Sequence, residues 1–248
     1  MHDNRMTTEI LTIDKGQCLT DVLPAIPANT IFDKTITGCG ATHSEIVNAA
    51  RHSIIIEPNI PVILGKKAEH PFLFAVYEGI TKEDVKAYLA GEHDGYRKII
   101  TTPEGFDKKV LPAMHELEIP VYKDYFLLFD ECEKAIQDVG YRGDIYLPVE
   151  DFFKFENKAM VSATPIVPSD PRFEENGFKI LKLVPTYDSR IELTLCTTNN
   201  TVAVMRKLLK RLENETVCVF LNSTETILSL IYALRLQGRS RVFWCQKA

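Results

Sequence analysis

The chain predicts an α/β fold, a mostly parallel sheet with helices on both faces. Short, β-branched apolar runs alternate with longer mixed segments, as that architecture requires. With 248 residues, 45% of them hydrophobic and 25% charged, the chain can bury one large core or two modest ones. Helix signals fall between the apolar runs. The segment opening at Thr81 has that threonine to cap it, Asp84 three residues on, Val85, Tyr88 and Leu89 on one face, and Gly91 to end it.

In order, strands are expected at 30–36, 53–57, 72–76, 98–101, 125–129 and 158–162, and helices at 42–51, 81–90 and 103–117. The stretch T-P-I-V-P-S-D-P follows, and its prolines at 165, 168 and 171 mark a linker or an exposed connection. A shorter α/β pattern comes next, with strands at 191–196, 216–221 and 241–245 and helices at 201–212 and 224–236. Two domains are therefore expected, 1–186 and an incomplete or reduced one over 187–248.

A net charge of −5 provides no global basic field to draw in nucleic acid, so any such contact must be local. Six cysteines, at 18, 39, 132, 196, 218 and 245, form no C-x-x-C and no Cys/His pairing of zinc type, and read as reduced, mostly buried thiols. The first fourteen residues carry Asp3, Glu9 and Asp14 and no continuous apolar segment, so neither signal peptide nor membrane anchor is expected and a cytoplasmic location is the default.

Three segments carry chemistry. In N-T-I-F-D-K-T-I-T-G-C-G-A-T-H an apolar strand runs through a glycine-rich turn into a helix, the setting of a phosphate loop. Gly38 and Gly40 permit backbone angles and close approaches that side chains forbid, and Thr42 can offer its hydroxyl to magnesium. Against G-x-x-x-x-G-K-[ST], Thr35 replaces the first glycine and Ala41 the lysine, so the segment also reads as a plain glycine turn. In Y-F-L-L-F-D-E-C-E a strand delivers Asp130 and Glu131 to its carboxyl end, where they can hold magnesium and activate water, or cap the next helix and lie on its first turn. The third, K-A-M-V-S-A-T-P, ends a strand in Ser162, Ala163 and Thr164, residues also common at turns.

Taken in order, these segments resemble the motifs of superfamily two helicases, the group of DEAD-box and DEAH-box proteins. T-G-C-G-A-T at 37–42 is similar to motif I, I-I-I-E-P-N at 54–59 to motif Ia, and I-T-T-P-E-G-F at 100–106 to motif Ib. D-E-C-E at 130–133 is similar to motif II, S-A-T-P at 162–165 to motif III, and V-C-V-F-L-N-S-T-E-T at 217–226 to motif IV. The resemblance implies a RecA-like P-loop NTPase fold followed by a partial second RecA-like domain, with ATP and Mg2+ as cofactors. It implies that Thr37, Gly38, Cys39, Gly40, Ala41 and Thr42 surround the phosphates, that Asp130 and Thr42 hold the metal, and that Glu131 and Asp130 are catalytic. Pro58, Asn59, Thr102, Pro103 and Glu104 would approach single-stranded DNA or RNA, and Ser162 and Thr164 would couple nucleotide state to domain movement. A pseudo-helicase serving as a binding platform is the alternative reading, and an unrelated α/β phosphate-binding protein is a third.

Two departures bear on activity. Ala41 removes the ammonium that neutralises the β- and γ-phosphates. Lys34 is either a solvated strand-end lysine or a cation reaching the phosphates from another direction. Motifs V and VI, with their arginine finger, have no counterpart, so a partner protein or further chain would have to supply them. His43 reads as a surface histidine at a helix start, Trp244 as packing of a terminal strand, and Gln17 stands upstream of motif I, where DEAD-box proteins use a glutamine to read adenine. Arg206, Lys207, Lys210 and Arg211 form a solvated helix face or a modest nucleic-acid patch.

Overall fold

In a computed structural model of the chain, the described residues are 6–132, 149–165, 168, 170–189, 194–211, 215–221 and 223–242. Two compact units divide it, Met1–Ser189 and Arg190–Ala248. The first unit runs β1 (Thr8–Ile13), α1 (Leu19–Val22), β2 (Thr30–Asp33), α2 (Ala41–Val47), β3 (His52–Ile56), α3 (Ile60–Glu69), β4 (Phe74–Val76), α4 (Lys82–Ala90) and β5 (Lys98–Thr101). It continues through α5 (Pro103–Gly105), a π-helical turn (Phe106–Val110), α6 (Leu111–Glu116), α7 (Val121–Asp124), β6 (Tyr125–Asp130), α8 (Val149–Lys154), β7 (Asn157–Ser162), α9 (Pro171–Glu175) and β8 (Lys179–Pro185).

Eight strands form one sheet in the order β1-β8-β2-β7-β6-β3-β5-β4, and every pairing is parallel. The six strands foreseen for this unit are present, five inside the sheet and β4 at its edge; the first ends at Asp33, and the third is shortened because Phe72 lies outside the sheet and is exposed. Both β1 and β8 escaped the sequence reading. They are half-exposed, and β8 inserts between β1 and β2 although it follows them by over a hundred residues.

Successive strand residues alternate between two cores. Ile54, Ile56, Leu127, Phe129 and Met160 face one, with Val85 and Leu89 of α4 and Met114 of α6. Ile55, Phe126, Leu128, Ala159 and Val161 face the other, with Ala41 and Ile46 of α2 and Ile63 of α3. Burial on both sides explains why these strands read as continuous apolar runs. The expected helix at 103–117 is helical but widened, since Leu111 N–H bonds the Phe106 carbonyl five residues back and Pro112 lacks an N–H to restore the tighter ladder.

A polar network crosses the core at the amino end of β3 and β5. Fully buried Glu45 accepts from the Ser53 hydroxyl at 2.5 Å and from Arg51 Nε at 3.1 Å, and Arg51 Nη2 reaches its other oxygen at 2.5 Å. The Arg51 guanidinium lies 3.4 Å above the Phe126 ring. Lys98 Nζ donates to Ser53 Oγ at 2.8 Å and stands 3.6 Å from Glu45. A buried carboxylate with this many donors is tolerated where an unpaired one is not.

In the second unit the described residues hold α10 (Thr201–Arg211) and α11 (Thr224–Ala233), the latter capped by Ser223, whose Oγ accepts from Thr226 N–H at 3.3 Å. The expected strands at 191–196 and 216–221 are not formed among the described residues. Leu195 and Phe220 stand 88% and 92% exposed, with no sheet core built over them. Trp244 and three of the five residues of the expected strand at 241–245 lie outside the described residues. Cys39 and Cys132 are buried while Cys18, Cys196 and Cys218 are exposed, which corrects the reading of mostly buried thiols.

Burial pulls the Lys98 ammonium down to about 8, against the attraction of Glu45. Its folded value lies below its unfolded one, so between pH 8 and 10.5 the unfolded chain binds more protons and stability rises with pH. Unfolding free energies from urea denaturation across that window should rise by up to about 1 kcal/mol per pH unit more in the native protein than in Lys98→Met, where this slope is absent.

Candidate functional site

Parallel pairing puts every strand's carboxyl end on one edge, the edge at which open α/β sheets bind ligands. The segments after β2, β3, β5, β6 and β7 share it, and these carry the motif-like residues.

After β2 the backbone turns sharply. Thr35 adopts φ 50° and donates its N–H to Asp33 Oδ1 at 3.1 Å, while Gly38 and Gly40 have φ 75° and 90°. A Cβ on either glycine would meet nothing within 4 Å, so glycine is needed there for conformation and not for space. Thr37 and Gly38 are exposed, whereas Cys39 and Ala41 turn inward and join the core. Burial pushes the Cys39 thiol above its ordinary value, so it fills space and is not a reactive thiolate. The Cys39 carbonyl accepts Leu19 N–H at 2.9 Å, which ties the loop to the segment carrying Gln17 and Cys18. Gln17 itself is exposed, its side-chain oxygen accepting Asp14 N–H at 2.8 Å.

At the end of β6, buried Asp130 is followed by Glu131 with φ 50°, a left-handed turn uncommon for a glutamate. Glu131 N–H donates to Asp130 Oδ1 at 3.0 Å. The Thr42 hydroxyl donates to Asp130 Oδ2, so the glycine loop and the acidic strand tip, 88 residues apart in sequence, meet. Strand β7 lies between their two strands. The Ser162 carbonyl accepts Lys34 N–H at 2.9 Å, and the Ser162 hydroxyl accepts Thr164 N–H at 2.9 Å. Ser162 is fully buried and Thr164 exposed.

Lys34 is no solvated strand-end lysine. It is 8% exposed, and its Nζ lies 2.5 Å from Glu131 Oε1 and 3.3 Å from Asp130 Oδ1. Burial alone would lower its pKa, but the Asp130 charge and the bond to Glu131 outweigh burial and push it above the ordinary lysine value. Thr42 Oγ and Asp130 Oδ2 place two hard oxygens side by side, the donor type magnesium takes. Among the described residues no group of three His, Cys, Asp or Glu side chains could hold a metal.

The second cluster follows β3 and β5, and β3 is paired with β6. Glu57 is buried, and its Oε1 accepts both Asn59 N–H and Asn59 Nδ2 at 2.8 Å. Asn59 with Pro58 then stands half-exposed at the start of α3. Thr102 caps the next helix, its Oγ1 accepting Gly105 N–H at 3.0 Å. Thr102 and Pro103 are buried while Glu104 is exposed, so Pro58, Asn59 and Glu104 form the accessible part of this cluster. At Gly105 a Cβ would fall 2.5 Å from Thr101 Oγ1 and 3.2 Å from both Thr102 Oγ1 and the Val76 carbonyl, and only glycine fits.

Two features escaped the sequence reading. Glu57 closes the apolar run of β3, and nothing local marks it as buried. His43, read as a surface residue, points its Nδ1 at His70 Nε2, 3.2 Å away, a contact across 27 residues that no local spacing signals.

No family model matches the chain, nor does any curated protein. Among solved structures, the DUF1998 helicase MrfA matches with a TM-score of 0.56 at 14% identity, over 86% of this chain and 37% of that one. The fold is helicase-like. The Hef helicase domain of Pyrococcus furiosus also matches, at 13% identity and a TM-score of 0.40, over 94% of this chain and 50% of that one. The chain spans half or less of the length of these solved chains. At such identities the likeness speaks to fold alone. Among the described residues no helix is long and apolar enough to cross a membrane.

Replacing Gly40 or Gly38 by alanine should cost about 1 kcal/mol each, because the left-handed angle penalises any Cβ. Gly105→Ala should cost more, about 2 kcal/mol or above, through direct overlap. Chemical denaturation of the three variants checks that order.

Proposed function

We propose that this chain is a helicase-like module that binds a nucleoside triphosphate with magnesium and acts on single-stranded nucleic acid, with hydrolysis weak or lost. The observation that carries this reading is the bond from Thr42 to Asp130, which joins a glycine-rich loop to an acidic strand tip at one sheet edge. Gly38, Gly40 and the backbone of Thr37 and Cys39 would receive the phosphates, Thr42 and Asp130 would hold magnesium, and Glu131 would orient and deprotonate the attacking water. Bound there, the ion would neutralise charge developing on the phosphates.

Weak hydrolysis follows from position 41. Transfer of a phosphoryl group depends on positioned charge, and Ala41 is a buried methyl where an ammonium would stand. Lys34 is the nearest cation on the loop and can supply part of the missing charge. Ala41 together with the engagement of Lys34 by both carboxylates favours a second reading, a pseudo-helicase that keeps the fold as a binding platform. Under either reading Pro58, Asn59 and Glu104 would meet the nucleic-acid backbone through their loops, with Thr102 and Pro103 supporting them, and Ser162 and Thr164 would couple nucleotide state to domain movement. Local contacts of this kind do not need a basic chain, which suits a net charge of −5.

Calorimetry with ATP and magnesium tests the proposal. Asp130→Asn should weaken metal-dependent affinity by about tenfold or more, whereas Glu131→Gln should leave affinity within about threefold and remove any residual turnover. No ATP binding by the native chain at millimolar concentrations would end this reading. Turnover measured with and without single-stranded oligonucleotide separates the two versions: a stimulated rate supports the weak motor, and bound but unhydrolysed ATP the platform.

A further inference from the structure

The geometry points to Lys34 as a resident counter-cation of the acidic strand tip, holding the place next to Asp130 that a divalent ion would otherwise take. A divalent ion can then enter only when a nucleotide arrives to draw the ammonium away. The inference deepens the nucleotide-binding reading and rests on it for the second of these steps.

Four observations carry it. First, the Lys34 ammonium touches both carboxylates at once, 2.5 Å from Glu131 and 3.3 Å from Asp130, and is nearly excluded from water. Second, Asp130 has little left to offer: Oδ1 accepts from Lys34 and from Glu131 N–H, and Oδ2 accepts from the Thr42 hydroxyl. Those are the same oxygens through which Asp130 and Thr42 would hold magnesium. Third, the backbone that carries this side chain is anchored, since the Ser162 carbonyl of β7 accepts Lys34 N–H at 2.9 Å. Fourth, with alanine at 41, this position of the loop offers the carboxylate pair no second ammonium.

Electrostatics sets the consequence. A free divalent ion beside Asp130 would meet a fixed positive charge within a few ångströms in a partly dry site, where repulsion is only weakly screened. A triphosphate changes the balance, because its oxygens offer the ammonium a new partner and the ion additional ligands. Lys34 lies three residues before Thr37, where the segment that would face those oxygens begins. The cluster is therefore an exchange device in which one cation leaves the carboxylates as another arrives.

Manganese binding followed by electron paramagnetic resonance, without nucleotide, tests the first step. The native chain should bind Mn2+ at this site no tighter than the millimolar range, while Lys34→Gln and Lys34→Met should bind it about tenfold tighter or more, because the carboxylates lose their counter-ion. Lys34→Arg should behave as the native chain, and Asp130→Asn placed on Lys34→Gln should abolish the gain. Circular dichroism establishes that each variant is folded. Should the neutral variants fail to fold, the native chain still decides: Mn2+ binding that appears only with nucleotide supports the exchange, and micromolar Mn2+ binding without nucleotide overturns it. Equal affinity in native chain and Lys34→Gln also overturns it. The two readings fail separately. A gain in Mn2+ affinity with no ATP binding in any variant leaves the counter-cation standing and removes the nucleotide reading, whereas ATP binding with unchanged Mn2+ affinity does the reverse.

Discussion

Parallel pairing is the constraint on which the rest of this molecule depends. Once eight strands run the same way, every crossover must pass over a face of the sheet, and every strand delivers its last residues to the same edge. Helices α2 and α3 cover one face and α4 and α6 the other, so the strands are dry on both sides. The polar residues the sheet cannot bury without partners are then sorted to its ends. At the amino ends of β3 and β5, Glu45, Arg51, Ser53 and Lys98 satisfy one another, and at the carboxyl edge Lys34, Thr42, Asp130 and Glu131 do the same.

These two clusters differ in what they leave available. Glu45 is sealed beneath the Arg51 guanidinium and the Phe126 ring, and its neighbours spend their donors on it. The carboxyl-edge cluster is only partly covered, its Glu131 part-exposed on a left-handed backbone and its loop glycines facing open space. Strain and openness at the carboxyl ends of β2 and β6, and closed packing at the amino ends of β3 and β5, divide the first unit into a foundation and a working edge. Local strain of this kind persists only where surrounding structure overdetermines it, and here the sheet does so.

How much of this was legible in the sequence depended on whether a residue's neighbours were local. Five inner strands were visible because burial on both faces makes them apolar at consecutive positions, as in I-I-I at 54–56 and Y-F-L-L-F at 125–129, and edge strand β4 was visible because Ala75 and Val76 are buried in opposite cores. The edge strand β1 and its neighbour β8 were not, because one-sided burial spaces their apolar residues among Thr, Glu and Lys. In the second unit V-C-V-F-L has the same apolar character without forming a strand, since apolar composition does not reveal whether a sheet is there to receive it. The meeting of Thr42 with Asp130 could be anticipated from the order of the motif-like segments, because each follows a strand. The ion pairs of Lys34 span 96 and 97 residues and the burial of Glu57 depends on a loop packed around it, so neither leaves a local trace.

The packing beneath Gly105 has an implication for how relatives are to be sought. With identity to known structures at 14%, overall similarity is a blunt instrument, whereas a position that admits one amino acid on steric grounds is a sharp one. Any homologue carrying a side chain there must also have moved or replaced the hydroxyls of Thr101 and Thr102 and receded slightly from the Val76 carbonyl. A glycine three residues after a capping threonine, at the end of a short buried strand, is thus a fingerprint for tracing this lineage through sequences too diverged to align.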